Sequence, residues 1–230
     1  MAQHTGHEIE IKLRVSDAGA VRRRLRALGA HAGRRLHEAN VLFDTPEQSL
    51  RHRGLMLRLR VERPPGRGAA SPKHESRRAL LDSWLFPERG RQTAIITMKG
   101  PPSSHAERSG TAGAKHGAAY LDFKVRREIE FDVPDAAAFR EVLGALGYRP
   151  SFYYEKIRTT YRLPRLGQLL ISLDETPVGL YLELEGPPAA IDRARAALGY
   201  RAQDTIVLSY GSLYTAQCVA SGLPPGDMLF

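Results

Sequence analysis

The most restrictive feature of this sequence is a set of strand-like segments in which charged and apolar residues alternate. In Glu8-Ile-Glu-Ile-Lys-Leu13 every second residue is charged, and Glu128-Ile-Glu-Phe131 and Leu182-Glu-Leu-Glu185 repeat the pattern. Because successive side chains of a β-strand point to opposite faces, each segment has one apolar face and one ionic face. The sequence therefore predicts a sheet whose apolar face must be covered and whose other face is densely charged.

Three of these strands begin a repeated unit. Each strand is followed by a helix-start signal, such as Ser16-Asp17, and by an amphipathic pattern that ends at Gly29, Gly147 or Gly199. Further strand-like runs lie at 40–44, 55–62, 93–99, 157–163, 169–173 and 179–185. The total is about eight strands with three or four helices. This content predicts an α+β fold with a mainly antiparallel sheet.

Two segments lack strand and helix patterning and are predicted to be surface insertions in a single domain of residues 1–230. In residues 64–92 basic residues lie among prolines and glycines, and residues 101–119 contain no Val, Ile, Leu, Phe, Tyr or Trp. A segment without such residues has nothing large to bury. The apolar residues between Leu80 and Leu85 predict one or two amphipathic turns that anchor the first insertion on the domain.

The composition is that of a globular protein with a basic excess. The 230 residues include 34 Lys and Arg against 25 Asp and Glu, and 42% are apolar, which excludes a collagen-like or wholly disordered chain. Apolar runs are far shorter than the roughly 20 residues of a transmembrane helix, and no signal-peptide pattern is present, so we expect a cytoplasmic protein. Cys218 is the only cysteine, which excludes an internal disulfide and a cysteine-based zinc site. The net charge of +9 indicates an anionic partner.

The charges of the ionic face are sorted by sign along the strands. Carboxylates come as Glu-x-Glu three times, whereas cations come as Arg58-Leu-Arg60 and Lys156-Ile-Arg158. The basic residues of this face are Lys12, Arg58, Arg60, Lys99, Arg126, Lys156 and Arg158, and the acidic ones are Glu8, Glu10, Glu128, Glu130, Asp174, Glu183 and Glu185. A solvated face is the ordinary interpretation of one such strand, but exposed faces normally mix the signs. We therefore expect a barrel with this face inward and helices outside.

A charged lumen of this kind offers two types of binding group. Arginine and lysine side chains hold phosphate oxygens. Paired carboxylates hold a hard divalent cation, Mg²⁺ or Mn²⁺. Together they predict a tunnel that binds a metal ion and a phosphorylated anion.

Short motifs that match one known family run through the chain in the family's order. The first is Glu8-Ile-Glu-Ile-Lys12, an E-x-E-x-K strand. The others are Val41-Leu-Phe-Asp-Thr45, Leu55-Met-Leu-Arg-Leu-Arg60, Thr97-Met-Lys-Gly-Pro101, Arg126 to Glu130, Tyr154-Glu-Lys-Ile-Arg158, Leu173-Asp-Glu-Thr-Pro177, Leu182-Glu-Leu-Glu185 and Leu208-Ser-Tyr210. This series resembles the CYTH domain of class IV adenylate cyclases, thiamine triphosphatases and other triphosphate tunnel metalloenzymes. It spans nearly the whole chain except the two insertions.

The resemblance implies a closed antiparallel barrel whose tunnel binds a triphosphate for divalent-metal-dependent phosphoryl or nucleotidyl chemistry. It implies metal binding by Glu8, Glu10, Asp174, Glu183 and Glu185. It implies triphosphate binding by Lys12, Arg58, Arg60, Lys99, Arg126, Lys156 and Arg158. We expect catalytic roles for Glu10, Lys12 and Glu130. Glu128 and Glu130 are expected either to bind the metal or to position water.

Three functions fit these residues. The first is metal-dependent hydrolysis of inorganic, nucleoside or thiamine triphosphate by water. The second is a class IV adenylate cyclase, in which the 3′-hydroxyl of ATP attacks the α-phosphorus and releases pyrophosphate. The third is a non-catalytic module that binds polyphosphate or RNA. Hydrolysis is the leading hypothesis because it needs no adenine pocket. We also expect the protein to be a monomer or homodimer without a stable nucleic-acid or membrane partner.

Deleting Ser103–Ala118 is expected to leave folding intact, because this segment has no large apolar side chain to lose. The melting temperature of the deletion variant, measured beside that of the intact chain, should be unchanged. A large drop would show that the segment packs into the domain.

Overall fold

A computed structural model of the protein describes residues 3–65, 74–86, 94–102 and 123–230. Within these residues there are nine β-strands and six α-helices. The strands are β1 (Gln3–Val15), β2 (His31–Asp44), β3 (Met56–Arg63), β4 (Ala94–Lys99), β5 (Lys124–Val133), β6 (Arg149–Arg162), β7 (Leu170–Thr176), β8 (Gly179–Glu185) and β9 (Thr205–Ile206). The helices are α1 (Ala18–Ala27), α2 (Ser49–His52), α3 (His74–Leu85), α4 (Ala136–Ala145), α5 (Pro188–Ala197) and α6 (Tyr210–Ala220).

Eight of the strands close into an antiparallel barrel. Neighbouring strands follow the order β5-β4-β3-β2-β6-β7-β8-β1, and β1 also pairs with β5, which closes the ring. β1 pairs with β5 from Gln3 to Glu10 and with β8 from Glu10 to Val15. The two-residue β9 pairs with β1 outside the ring. The predicted α+β fold with a barrel of about eight strands is confirmed.

The apolar face of the strands lies outside the barrel and is covered by helices. Ile11 and Leu13 of β1 are fully buried and belong to one cluster with Leu25 of α1 and Ile191 of α5. A second cluster contains Leu81 of α3 together with outward-facing residues of β2, β3 and β4. The helices therefore remove the apolar face from water, and the charged face is left to line the lumen, as predicted.

The three predicted strand–helix–glycine units are present as β1–α1, β5–α4 and β8–α5. At the start of α1, the Asp17 carboxylate accepts a hydrogen bond from the amide of Gly19 at 2.7 Å, which caps the helix. The three helices end before Gly29, Gly147 and Gly199, whose φ angles are 80°, 90° and 86°. Within the described chain nothing lies within 4 Å of a Cβ built at these positions. The left-handed backbone alone therefore favours glycine there.

Several elements are longer than predicted, among them β6, which begins at Arg149 and not at Ile157. The strand predicted at 40–44 is β2, which begins at His31 because the long β6 supplies pairing partners along its length. Inside the predicted insertion at 64–92, α3 has 12 residues in place of one or two turns, and its Leu81 and Leu85 are fully buried anchors. The six helices outnumber the predicted three or four because α3 was predicted only as turns and because α2, with four residues, is too short to show a helical period.

The rest of the predicted insertions, residues 66–73, 87–92 and 103–119, lies outside the described residues. In the part of the chain that is described, no helix combines the length and apolar composition needed to cross a membrane. Cys218 of α6 is buried.

Truncating Ile11 to alanine should destabilise the barrel, because this side chain is fully buried between β1 and the covering helices. Removing a buried Ile side chain down to Cβ costs about 2–5 kcal/mol. The loss should appear in the free energy of unfolding from urea titrations. Val142→Ala on α4, where the side chain is 53% exposed, is the matched control and should change it by less than ~0.5 kcal/mol. Equal effects would show that the two faces of β1 are assigned backwards.

Candidate functional site

The predicted charged residues meet inside the barrel, where they form two walls. Strands β8, β1 and β5 are neighbours in the ring and form an acidic wall with Glu183, Glu185, Glu8, Glu10, Glu128 and Glu130. Strands β3, β2 and β6 are also neighbours and form a basic wall with Arg58, Arg60, Lys156 and Arg158. Strands β4 and β7 separate the two walls. The sorting of charges seen along the sequence thus becomes a sorting across the lumen.

On the acidic wall, Lys12 lies between two carboxylates. Its Nζ is 3.1 Å from Glu10 Oε1 and 3.1 Å from Glu183 Oε1. Lys124, the first residue of β5, approaches the same Glu10 oxygen at 2.6 Å. Burial by itself raises the pKa of Glu10, but Lys12 and Lys124 outweigh burial and hold this pKa below its usual range. Glu10 is therefore a carboxylate at neutral pH, with one of its oxygens bound by both lysines.

Further along the acidic wall, carboxylates outnumber the cations that neutralise them. Lys99 of β4 contacts Glu8 and lies 3.5 Å from Glu128. Burial and then the Glu8 carboxylate raise the pKa of Glu185 to about 7. Burial also raises the pKa of Glu128, although Lys99 opposes this shift. Raised pKa values mean that additional positive charge here would stabilise the ionised carboxylates.

Asp174 of β7 is held among basic groups. Its Oδ2 lies 3.1 Å from Lys156 Nζ and 2.6 Å from Arg158 Nη2. Tyr210, at the start of α6, donates a hydrogen bond to the same oxygen at 2.8 Å. The Tyr210 ring lies 5.2 Å from Lys12 Nζ and 5.3 Å from Lys156 Nζ, within range of a cation–π interaction. Asp174 is therefore satisfied by the basic wall and by α6.

Arg58 organises the other part of the basic wall. It donates hydrogen bonds to the Tyr154 hydroxyl at 3.1 Å and to Thr97 Oγ1 at 2.9 Å. Glu130 joins the two arginines, with Oε2 3.5 Å from Arg58 and Oε1 3.4 Å from Arg60. Burial lowers the pKa of Arg58, but Tyr154 and Glu130 raise it by more, so the guanidinium stays charged.

Arg126 differs from the other predicted phosphate ligands. Its Nε donates to the carbonyl of Gly100 at 2.5 Å and its Nη2 to the carbonyl of Gly54 at 2.7 Å. The guanidinium is thus bound to the backbone just before β3 and just after β4, at one end of this strand pair. Its predicted contact with phosphate stays a prediction.

Several lumen residues were not predicted from the sequence to line the lumen, among them Glu38, Asn40, Lys124 and Tyr210. Glu38 precedes the predicted start of β2, and Asn40 is uncharged, so the alternation of charged residues does not identify it. Lys124 lies two residues before Arg126, so the same alternation that identified Arg126 could have found it. Tyr210 reaches the lumen from a helix, and no strand periodicity predicts such a contact.

The predicted metal ligands lie along the lumen, and their chemistry fits a hard cation. They are Glu8, Glu10, Asp174, Glu183 and Glu185. All their donor atoms are carboxylate oxygens, which Mg²⁺ and Mn²⁺ prefer. The pKa of Glu185 is raised, so a nearby cation would stabilise its ionised form. Among the described residues, however, no three such side chains are arranged as a ready metal cluster. The ligand assignment therefore stays a prediction.

Comparison with solved structures finds the same fold in distant proteins. A "putative adenylate cyclase" from Vibrio parahaemolyticus is 18% identical, with 91% of this chain and 98% of that chain covered and a TM-score of 0.61. A protein from Pyrococcus horikoshii is 19% identical, with 91% and 99% covered and a TM-score of 0.59. HpAC1 from Hippeastrum, described as having a dominant triphosphatase activity, is 15% identical, with 95% and 97% covered and a TM-score of 0.51. At these identities the likeness shows the fold.

The sequence itself matches a family model. No curated protein sequence matches the chain. The model of the CYTH domain matches residues 6–195, which include β1 from Gly6 onward and all the other barrel strands. The match covers both lumen walls and confirms the resemblance found in the motifs. The chain belongs to the CYTH domain family.

Proposed function

We propose that the protein hydrolyses a triphosphate held in the barrel lumen, with a divalent cation as cofactor. The observation that carries this proposal is the division of the lumen into an acidic and a basic wall. Guanidinium and ammonium groups suit phosphate oxygens, and carboxylates suit a hard cation. Membership of the CYTH family and the triphosphatase activity described for HpAC1, which has the same fold, support the same chemistry.

The ion pairs of the lumen suggest that the anion and the cation bind together. Seven basic and seven acidic buried or half-buried side chains form these pairs: Lys12, Arg58, Arg60, Lys99, Lys124, Lys156 and Arg158 with Glu8, Glu10, Glu38, Glu128, Glu130, Asp174 and Glu183. Their charges cancel, so a triphosphate alone would add uncompensated negative charge to a desolvated space. Divalent cations offset that charge, and the basic groups can then exchange carboxylate partners for phosphate oxygens.

Each wall has its own task in the hydrolysis. A bound cation would neutralise phosphate charge and polarise a phosphoryl oxygen. Arg58 and Arg60 present fixed N–H donors that hold the phosphates and offset the charge that builds up as the terminal bond breaks. Burial lowers the pKa of Lys12, but Glu183 and Glu10 raise it above the usual range. Lys12 therefore serves as a permanent cation and not as a proton acceptor.

Phosphate release from a triphosphate should require a divalent cation. We expect turnover of at least one of tripolyphosphate, ATP and thiamine triphosphate in Mg²⁺ or Mn²⁺, none in excess EDTA, and recovery when metal is restored. Products are scored as phosphate, pyrophosphate and cyclic AMP. Cyclic AMP with pyrophosphate would identify the alternative cyclase reaction, and undiminished turnover in EDTA would end the proposal of a metal-dependent enzyme.

Variants of one residue on each wall should separate metal binding from phosphate binding. Glu10→Gln keeps the side-chain size but removes the charge, so it should lower kcat by orders of magnitude and raise the metal concentration needed. Arg58→Ala removes a phosphate clamp, so it should raise KM and lower kcat without changing the metal requirement. Metal titrations and steady-state kinetics measure both effects.

Glu47→Gln is the matched control for the acidic wall, because this carboxylate is exposed in the loop after β2. It should leave kinetics and metal requirement unchanged. All three variants should fold, as judged by thermal melts, since the changed side chains lie outside the apolar clusters. If Glu10→Gln behaves like Glu47→Gln, the lumen is not the active site.

A further inference from the structure

Two acceptor oxygens in the basic wall are buried without a hydrogen bond to the described chain, although one of them, on Glu38, forms an ion pair with Lys156. Asn40 is fully buried, and its Nδ2 donates to the Glu38 carbonyl at 3.3 Å, whereas its Oδ1 makes no hydrogen bond to the described chain. Glu38 is 2% exposed. Its Oε2 lies 3.4 Å from Lys156 Nζ but makes no hydrogen bond to the described residues either. Unpaired buried acceptors cost free energy, so native proteins keep them where a ligand or water satisfies them.

Two guanidinium Nε donors next to these acceptors also lack hydrogen bonds in the described chain, although Arg60 Nε lies 3.2 Å from Glu62 Oε1 in an ion pair. Asn40 lies opposite Arg60 on β3, and Glu38 lies opposite Lys156 on β6. The Nε atoms of Arg58 and Arg60 are buried, and they too make no hydrogen bond within the described residues. An ionised phosphate only accepts hydrogen bonds, so it can satisfy the two Nε donors but not Asn40 or Glu38. A water molecule or a ligand hydroxyl presents an O–H donor and can satisfy these acceptors beside the phosphates.

We propose that Glu38 and Asn40 orient the hydroxyl that attacks the phosphorus, an inference that rests on the proposed function. The two residues are two positions apart on β2 and point to the same face, so their Cα atoms are about 6.6 Å apart. Side chains at this spacing can accept both hydrogens of one water molecule. The lone pairs of that water then point away from the acceptors and toward a phosphate held by Arg58 and Arg60.

In the hydrolytic reaction this geometry assists one bond exchange. The water oxygen forms a bond to the terminal phosphorus, and the bond from that phosphorus to the bridging oxygen breaks. The electron pair of the broken bond stays on the departing phosphate chain. One proton of the water stays on the newly bonded oxygen, and the other passes by way of the Glu38 carboxylate to an oxygen of the departing phosphate chain. Burial would raise the pKa of Glu38, but Lys156 and Arg158 lower it to about 2. Glu38 thus acts as a hydrogen-bond acceptor that positions the water, and does not keep the proton.

The same acceptors suit the hydroxyl of a ribose. In a cyclase reaction the attacking group is the 3′-hydroxyl of ATP, which presents one O–H donor beside a phosphate chain. The shared chemistry is an O–H nucleophile, and the products distinguish its two sources. Release of phosphate identifies water as the nucleophile, and formation of cyclic AMP identifies the ribose hydroxyl.

The test compares Asn40→Ala with a variant that keeps an acceptor and with a control outside the lumen. Asn40→Ala should lower kcat by about 10- to 100-fold with little change in KM, because the nucleophile is misplaced while the phosphates stay bound. Asn40→Asp keeps an acceptor oxygen and should retain more of kcat than Asn40→Ala. Thr159→Val removes another buried, unpaired oxygen, on the outer face of β6, and should leave kcat unchanged. Tripolyphosphate and ATP are the substrates, with Mg²⁺ or Mn²⁺.

Glu38→Gln is a second test, because glutamine has the shape of glutamate but replaces one acceptor oxygen by an NH₂ donor. This variant should also lower kcat more than it changes KM. Wild-type kcat in both Asn40→Ala and Glu38→Gln would overturn the assignment and leave the proposed function standing. So would a rise in KM alone, which would make the pair a substrate-binding element. A wild-type protein that turns over neither substrate would reject both the assignment and the proposed function.

Discussion

Charged groups inside a β-barrel must be paired, and most of this structure follows from that requirement. Removing a lone ion from water costs several kcal/mol. A lumen lined with glutamate, lysine and arginine is therefore stable only if each charge pairs with an opposite charge. The barrel achieves this by placing the Glu-x-Glu strands and the Arg-x-Arg strands on separate walls, with Lys12 and Lys99 between carboxylates. The alternation that directs these charges inward also directs Ile11 and Leu13 outward, where helices must cover them.

The same pairing sets the conditions for binding. A lysine or arginine that binds a phosphate gives up its ion pair and leaves a carboxylate unpaired. A carboxylate that binds a cation likewise leaves a basic group unpaired. Under the proposed function, the anion and the cation would therefore favour each other's binding, as linked ligands do when each changes the charge around the other. Burial and the Glu8 carboxylate raise the pKa of Glu185, so added positive charge beside it would stabilise its ionised form. Asp174, already satisfied by Lys156, Arg158 and Tyr210, has less to gain from a cation.

The sequence predicted those features that depend on local periodicity. A period of two assigns both faces of a strand at once, so Glu10 and Ile11 were placed correctly without knowledge of their neighbours. Features that depend on tertiary partners were not predictable. β2 is extended toward His31 by its pairing with β6, and this extension brings Glu38 into the lumen. Tyr210 enters from α6, whose position no local pattern specifies. The contacts among lumen charges likewise depend on the barrel's register and not on the order of residues.

β1 pairs with β5 along its first part and with β8 along its second part, and the partner changes at Glu10. This double pairing restricts where the chain can gain or lose residues. Adding or removing one residue within β1 would turn its glutamates toward the helices and its isoleucines toward the lumen, and both adjoining strands would resist any compensating slip. Extra residues in the connection from β4 to β5 would leave the pairing of those strands intact. The same holds for the connection from β3 to β4 outside α3, whose Leu81 and Leu85 are buried. Length variation in this chain is therefore expected in those connections and not in β1.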